Sequence, residues 1–361
     1  MDKSAHDSHD VAAIKRNLVL LELALLLLTS CGQTSEPSAP VAFPTPTPLE
    51  EPLAVVVDTD MGEDDMRAIL YLLKHPSVDI KAITVAGTGE AHCEPGVRHV
   101  LGLLALNEPG DIPVACGRET PLAGDHTFPS SWRQGADSLY GLSLPEGGKA
   151  SSQSAAELIA SIIQASQVKA VIVATGPLTN IAEALLTNPD LAGNIAMVYV
   201  MGGAVEVQGN VGFSGAGIAN EFAEWNIYID PHAAGVVFNS GVPITLVPLD
   251  ATQYAPVTMG FYQRLESLHT GAEATFVYDL LTANLGFVQS GGAQFWDSLT
   301  AAIATDGSLA SFEMHELQVV EEEGVESGRT KPASGGASVR IAVSANGPRF
   351  EDTFLSVLNS P

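Results

Sequence analysis

The chain of 361 residues carries 16 Lys and Arg against 42 Asp and Glu, a formal charge of −26. That acidity excludes nucleic acid as a partner, because duplex binding needs a basic face to displace counterions. Hydrophobic residues at 46% with charged residues at 16% exclude global disorder, and three cysteines are too few for a disulfide scaffold and lack zinc-type spacing.

In chain order, Lys15 and Arg16 precede an apolar run from Leu18 to Leu28 that only Glu22 interrupts. The run has the length of a signal-peptide core and is too short to span a bilayer. It ends in Leu28-Thr29-Ser30-Cys31, which resembles a bacterial lipoprotein box. The resemblance implies removal of residues 1–30, acylation of Cys31 and a lipid anchor on the outer side of a bacterial membrane. Residues 31–52, rich in Ser, Thr and Pro, read as an extended spacer.

From Leu53 strand and helix signals alternate. The predicted strand 53–57 precedes a helix over 64–74, and the strand 78–85 precedes a helix over 97–106. A short strand is expected at 112–115. The polar stretch Gly117–Ser152, with its Gly, Pro and aromatic residues, reads as a long loop or lid. A helix over 155–166, a strand over 170–174 and a helix over 178–186 follow. Strands at 195–200 and 244–247 flank a helix at 231–238. From 257 to 304 the pattern is mostly helical; a β-hairpin over 313–322 and 338–344 and a helix over 350–358 complete the chain. Strands separated by such helices indicate an α/β fold, Rossmann-like, with a mostly parallel central sheet and helices on both faces. Residues 53–361 are expected to form one domain.

In an open parallel sheet, ligands bind beyond the carboxyl ends of the strands. There the first strand delivers Asp58-Thr59-Asp60-Met61-Gly62-Glu63-Asp64-Asp65. Four aspartates in eight residues repel one another unless a cation is present, and oxygen donors at that density suit a hard ion such as calcium or magnesium. Surface capping would explain Asp64 and Asp65, whose charge suits a helix N-terminus. It would not explain Asp58 and Asp60 directly after an apolar strand. Glycines after later strands, Thr175-Gly176-Pro177 and Met201-Gly202-Gly203, permit close backbone approach.

These motifs in this order resemble the nucleoside hydrolase family, the calcium-dependent N-ribohydrolases. The aspartate cluster carries the resemblance, with Met201-Gly-Gly-Ala-Val-Glu-Val-Gln-Gly-Asn210, Ala223-Glu-Trp-Asn-Ile-Tyr-Ile-Asp-Pro231 and Phe295-Trp-Asp-Ser-Leu-Thr-Ala-Ala302. It implies that Asp60, Asp65, the carbonyl of Thr175 and Asp297 ligate Ca2+. Asp60 also matches the residue that takes a proton from the attacking water. Asp64, Met201, Asn210, Glu224 and Asn226 match the groups that hold the sugar hydroxyls, and Asp58 matches a position that supports the loop. One branch has a His directly before the last aspartate; here Trp296 stands there, as in the purine-preferring branch. Trp132, in the segment Phe128–Arg133, matches that branch's loop tryptophan, so both indoles are expected to stack on the base. The family has Asn or Asp where this chain has Thr88, which leaves Glu90 or His92 as substitutes. The resemblance also implies a homo-oligomer, a dimer or tetramer, and a role in salvage.

Cys93 and Cys116 read as small buried thiols, with pairing as the alternative in an oxidising envelope. The nine histidines form no metal-like cluster, and His92 and His232 read as structural. The layout of lipobox, spacer and α/β body also fits a non-catalytic nucleoside-binding lipoprotein of a transport system. Asp58-Thr59-Asp60 alone would also fit an aspartyl phosphatase, which requires a basic phosphate partner that the sequence does not place.

Overall fold

The computed structural model describes residues 52–107 and 110–360, so the expected signal segment, Cys31 and nearly all of the spacer lie outside the described residues. The first half follows the alternation of the sequence. Strand β1 (Leu53–Thr59) leads to helix α1 (Glu63–Lys74), β2 (Val78–Val85) to α2 (Cys93–Asn107), and β3 (Val114–Cys116) to α3 (Ser130–Asp137). Then come α4 (Ala155–Ala165), β4 (Ala170–Ala174), α5 (Thr179–Thr187) and β5 (Ile195–Met201). Two short helices, α6 (Trp225–Ile229) and α7 (Pro231–Asn239), precede β6 (Ile244–Val247) and α8 (Leu249–Thr252).

Helices α9 (Met259–Leu268), α10 (Ala272–Ala283), α11 (Leu285–Gln289) and α12 (Trp296–Thr305) follow. Strands β7 (Ala310–Val319), β8 (Thr330–Pro332) and β9 (Ala337–Ala345) and helix α13 (Gly347–Leu358) complete the fold. Local chemistry fixes several boundaries. Ser154 caps α4, its hydroxyl accepting from the Glu157 N–H while the Glu157 carboxylate accepts from the Ser154 N–H. Asp230 caps α7 ahead of Pro231, whose missing N–H costs nothing at a first helical position.

The nine strands form one sheet in the order β3-β2-β1-β4-β5-β6-β9-β7-β8. Pairings from β3 through to β9 are parallel; β7 runs antiparallel to β9 and to β8. The expected α/β architecture is therefore the observed one. The expected hairpin is present as β7 and β9, although β8 lies between them in sequence and β9 continues the parallel sheet beside β6. Alternate residues of the buried strands feed opposite faces. Val55, Val57, Val171 and Val173 pack with α1, α2 and the helices of the C-terminal third, while Val56 and Ile172 pack with α4, α5 and α7.

Two local expectations are corrected. The stretch 117–152 is not all loop: α3 and a turn of 3-10 helix at Leu139–Gly141 lie within it, because Ala136 and Leu139 bury themselves in the main core. Cys93 and Cys116 are not separate thiols but a disulfide, with Cα atoms 5.6 Å apart. Parallel pairing sets Cys116 opposite Val85, and the chain leaving Val85 returns to open α2 at Cys93.

Candidate active site

β1 and β4 are neighbours whose chain connections leave in opposite directions, which makes their carboxyl ends the crevice of the sheet. Asp58 is paired with Ala174 there. Between β1 and α1 the chain turns sharply at Met61, a fully buried residue with φ +60°. Left-handed backbone at a non-glycine residue is costly and is typical of functional sites. The turn is held by Asp65, whose Oδ2 accepts the Gly62 N–H at 3.0 Å. Its Oδ1 accepts the Thr175 hydroxyl at 2.6 Å, the Asp60 N–H at 3.2 Å and the Thr59 hydroxyl. Asp65 thus ties the ends of β1 and β4 to the start of α1.

Asp297 opens α12, which packs against α1, and so reaches the same crevice from the far end of the chain. Carboxyl oxygens of Asp64, Asp65 and Asp297 lie within 4.8 Å of one another. Asp60 is buried beside them, its Oδ2 accepting the Glu90 N–H at 3.2 Å. Gly89 and Gly176 press on Asp60 from two sides. A Cβ at Gly176 would stand 2.7 Å from the Asp60 Cβ, and one at Gly89 would overlap the Asp60 side chain. Asp58 stands one layer below, its Oδ1 accepting from the Thr84 hydroxyl at 2.6 Å and the Asn180 amide at 2.8 Å.

Burial and mutual repulsion suppress ionisation of Asp58, Asp60, Asp64, Glu90 and Asp297. Asp60 and Asp297 are held well above the ordinary carboxylate range, first by burial, then by the charge of Asp65 on Asp60 and of Asp64 on Asp297. Asp64 is pushed up to about 7 by burial and Asp65, against the pull of Arg67. Glu90 is pushed up to about 8 by burial and by Asp64, and Asp58 up to about 7 by burial and, to a lesser degree, by Asp65, against the hydrogen bonds from Thr84 and Asn180. A group of acids this close and this buried calls for positive charge, and its donors are all oxygens. That donor set fits a hard divalent cation with six to eight oxygen ligands.

The remaining predicted residues line the ends of β4, β5 and α6. The Asn226 side-chain amide donates to the carbonyls of Thr175 and Met201, each at 3.2 Å. Glu224 caps α6; its carboxylate accepts from the N–H groups of Asn226 at 2.9 Å, Gly203 at 3.0 Å and Ile227 at 3.2 Å. Burial pushes it up to about 7 in spite of those donors. The Asn210 side-chain oxygen accepts the Trp225 N–H at 3.1 Å.

The two tryptophans sit in different apolar groups, each touching a candidate sugar-binding segment. Trp132 on α3 packs with Phe128 and, at 5.3 Å between rings, with Trp225. Trp296 packs with Met201, Leu249 and Val207, and stacks on Phe287 at 6.4 Å. Thr88 and His92 are engaged elsewhere, with Thr179 and Asp137 respectively. His232 pairs with Glu321 at 2.7 Å. The sequence reading missed Gly89, Met61, Thr59 and Tyr140. Gly89-Glu90, in the loop that leaves the carboxyl end of β2, is a usable signal; nothing local marks Tyr140, whose position depends on the path of the 117–152 segment.

The crevice at the carboxyl ends of β1 and β4 thus marks an α/β protein with an oxygen-donor cluster fit for a cation, with amides and carbonyls beside it. Residues 55–352 match the family described as inosine-uridine preferring nucleoside hydrolase, and the chain belongs to that family. It is 37% identical over 230 residues, 63% of this chain and 70% of the relative, to the pyrimidine-specific ribonucleoside hydrolase RihA of Klebsiella pneumoniae. RihA of Escherichia coli is also 37% identical over 230 residues, with the same 63% and 70% shares. Among solved structures, the plant nucleoside hydrolase PpNRh1 is similar with a TM-score of 0.78 and 27% identity, over 86% of this chain and 100% of that one. The purine-preferring ribonucleoside hydrolase from Gardnerella vaginalis has a TM-score of 0.71 and 29% identity, over 85% of this chain and 98% of that one.

Proposed function

We propose that this protein hydrolyses the N-glycosidic bond of ribonucleosides, purine nucleosides foremost, to free base and ribose. The observation that carries the reading is the carboxyl trio of half-buried Asp64 with buried Asp65 and Asp297, and Asp60 against it, at the crevice between β1 and β4. Asp60, Asp65, Asp297 and the Thr175 carbonyl would hold a calcium ion. Such an ion supplies fixed positive charge and lowers the pKa of water beside it. Asp60 takes the proton of the attacking water. Burial and the neighbouring charge of Asp65 raise its proton affinity above that of an ordinary carboxylate, the direction a general base needs.

Asp64, Asn210, Glu224, Asn226 and the Met201 segment fix the sugar hydroxyls and so orient the anomeric carbon. The surrounding carboxylates favour the oxocarbenium-like positive charge that develops as the bond breaks. Trp132 and Trp296 present indole faces to the base. Those faces favour the protonated, cationic purine, which is the better leaving group and removes the need for a side-chain acid.

The match to pyrimidine-specific relatives at 37% identity favours a second reading, in which uridine and cytidine are the better substrates. Two lines support an envelope location with a lipid anchor at Cys31: the lipobox-like Leu28–Cys31 segment and the Cys93–Cys116 disulfide, a bond that persists in oxidising compartments. A homodimer or homotetramer belongs to the same proposal. The deciding experiment incubates purified protein and calcium with inosine, adenosine, uridine and cytidine and measures free base. Faster release of hypoxanthine than of uracil is the expected outcome. Release from pyrimidine nucleosides alone transfers the assignment to the second reading, and tight binding of intact nucleoside without release makes the protein a receptor.

A further inference from the structure

The replacement for the amide or acid missing at position 88 can be read from three neighbouring side chains. Thr88 is spent inside the fold: its hydroxyl shares a 3.1 Å hydrogen bond with Thr179, whose hydroxyl donates to Asp230 at 2.9 Å. His92 turns away, its Nδ1 lying 2.7 Å from Asp137. Glu90 faces the cluster. Its N–H donates to Asp60, and its Oε2 lies beside Gly62, 3.1 Å from where a Cβ there would stand. Asp64 Oδ1 and Asp65 Oδ2 lie 3.0 Å and 3.2 Å from that same point. Yet Glu90 is not one of the three acids whose oxygens approach within 4.8 Å. It stands beside that trio, as Asp60 does, and not within it.

The Tyr140 hydroxyl donates to Glu90 Oε2 at 3.2 Å. Tyr140 reaches that point from three successive left-handed residues, Leu139 at φ +54°, Tyr140 at +51° and Gly141 at +81°. Two adjacent non-glycine residues in this region are strained, and the buried Leu139 side chain anchors the turn that carries them. A Glu carboxyl group, ionised or protonated, has more acceptor sites than one phenol fills, so Glu90 keeps acceptor capacity for an incoming hydroxyl.

We propose that Glu90, oriented by Tyr140, accepts a hydroxyl of the nucleoside sugar and determines which pentoses the protein takes. The proposal rests on the nucleoside reading above. Glu90 is the binding residue; Tyr140 is a positioning residue that acts through it. The test measures kcat and KM for the full chain, Glu90→Gln and Tyr140→Phe with calcium present. Substrates are inosine and its 2′-, 3′- and 5′-deoxy analogues, with uridine and its analogues in parallel, and calcium binding is followed by titration calorimetry.

Glu90→Gln is expected to lower kcat/KM on the parent nucleoside roughly ten- to hundred-fold, the range for a hydrogen bond to a charged group. One deoxy analogue, the one lacking the hydroxyl that Glu90 holds, should be nearly insensitive to the change, and calcium affinity should be unchanged. Tyr140→Phe should give a smaller loss with the same analogue pattern. A uniform loss on all four substrates, no loss at all, or weakened calcium binding overturns the proposal. Absence of turnover by the unaltered protein on every nucleoside overturns the functional reading, and this proposal with it; turnover with a uniform loss in Glu90→Gln overturns this proposal alone.

Discussion

At the scale of single residues, Asp60 and Trp296 carry the sharpest expectations. Asp60→Asn keeps the size of the side chain and its ability to accept the Glu90 N–H, while removing the carboxylate proposed to take the proton of water. Turnover should fall by about 10²- to 10⁴-fold, the usual worth of a positioned base. Circular dichroism and melting should remain those of the unaltered chain, because the substitution also relieves a buried like-charge contact with Asp65. Turnover within a few-fold of normal would remove Asp60 from the chemistry. Trp296→Ala takes away the indole that packs with Met201 and Phe287. Its kcat/KM on inosine should drop much more than on a riboside with an activated phenolate leaving group, which needs no help to depart. Parallel losses on both substrates would confine Trp296 to packing.

At the scale of elements, the strands and helices were largely legible because each buried strand is a short apolar run and each long helix has its own period. Ile244–Val247 and Val78–Val85 match the expected spans residue for residue. What escaped were the parts decided by tertiary contact. Helix α6 is five residues long and starts at a polar Glu224 cap, so it has no apolar period of its own. Helix α3 exists because Ala136 finds the core. In the site, acids following strands were legible; Tyr140, eighty residues after β1, was not. The Cys93–Cys116 bond belongs to this scale too, since it fastens the loop that carries Gly89 and Glu90 to β3. Replacing both cysteines by serine should lower stability by about 3 kcal/mol on the loop-entropy account. Denaturant titration checks this, with kcat/KM expected to fall as the Glu90 loop loosens. A Gly89→Ala substitution tests the same loop from inside, because the added methyl displaces the Asp60 side chain. It should abolish most turnover while moving the melting temperature by only a few degrees; full activity would contradict the close approach of the two segments.

At the scale of the whole molecule, the acidic crevice draws Asp60, Asp64 and Asp65 from the start of the described chain and Asp297 from its last third, so any cation held there also fastens α12 to α1. The proton affinities fix how this should depend on pH. Asp58, Asp64 and Glu224 are raised to about 7 and Glu90 to about 8, while the same groups in an unfolded chain titrate near 4. Between those limits the folded state binds more protons than the unfolded one. Without a divalent ion, stability is therefore fullest below about pH 4 as far as these groups are concerned, and it declines as pH rises toward 8. The net charge of −26 adds general self-repulsion in the same direction. If calcium is the proposed ion, it is expected to reverse the trend by substituting for the lost protons. It competes poorly at pH 5 and well at pH 8, and at a hundred times its Kd it should add about 2.7 kcal/mol. Melting temperatures of chelated protein should thus fall from pH 5 to pH 8, with calcium restoring more at pH 8 than at pH 5. Sodium chloride at matched ionic strength separates binding from screening, since screening acts on exposed charges and leaves buried ones nearly untouched. If calcium shifts the melting temperature equally at both pH values, or no more than sodium does, the buried acids are not its ligands and the crevice is held together by protons alone.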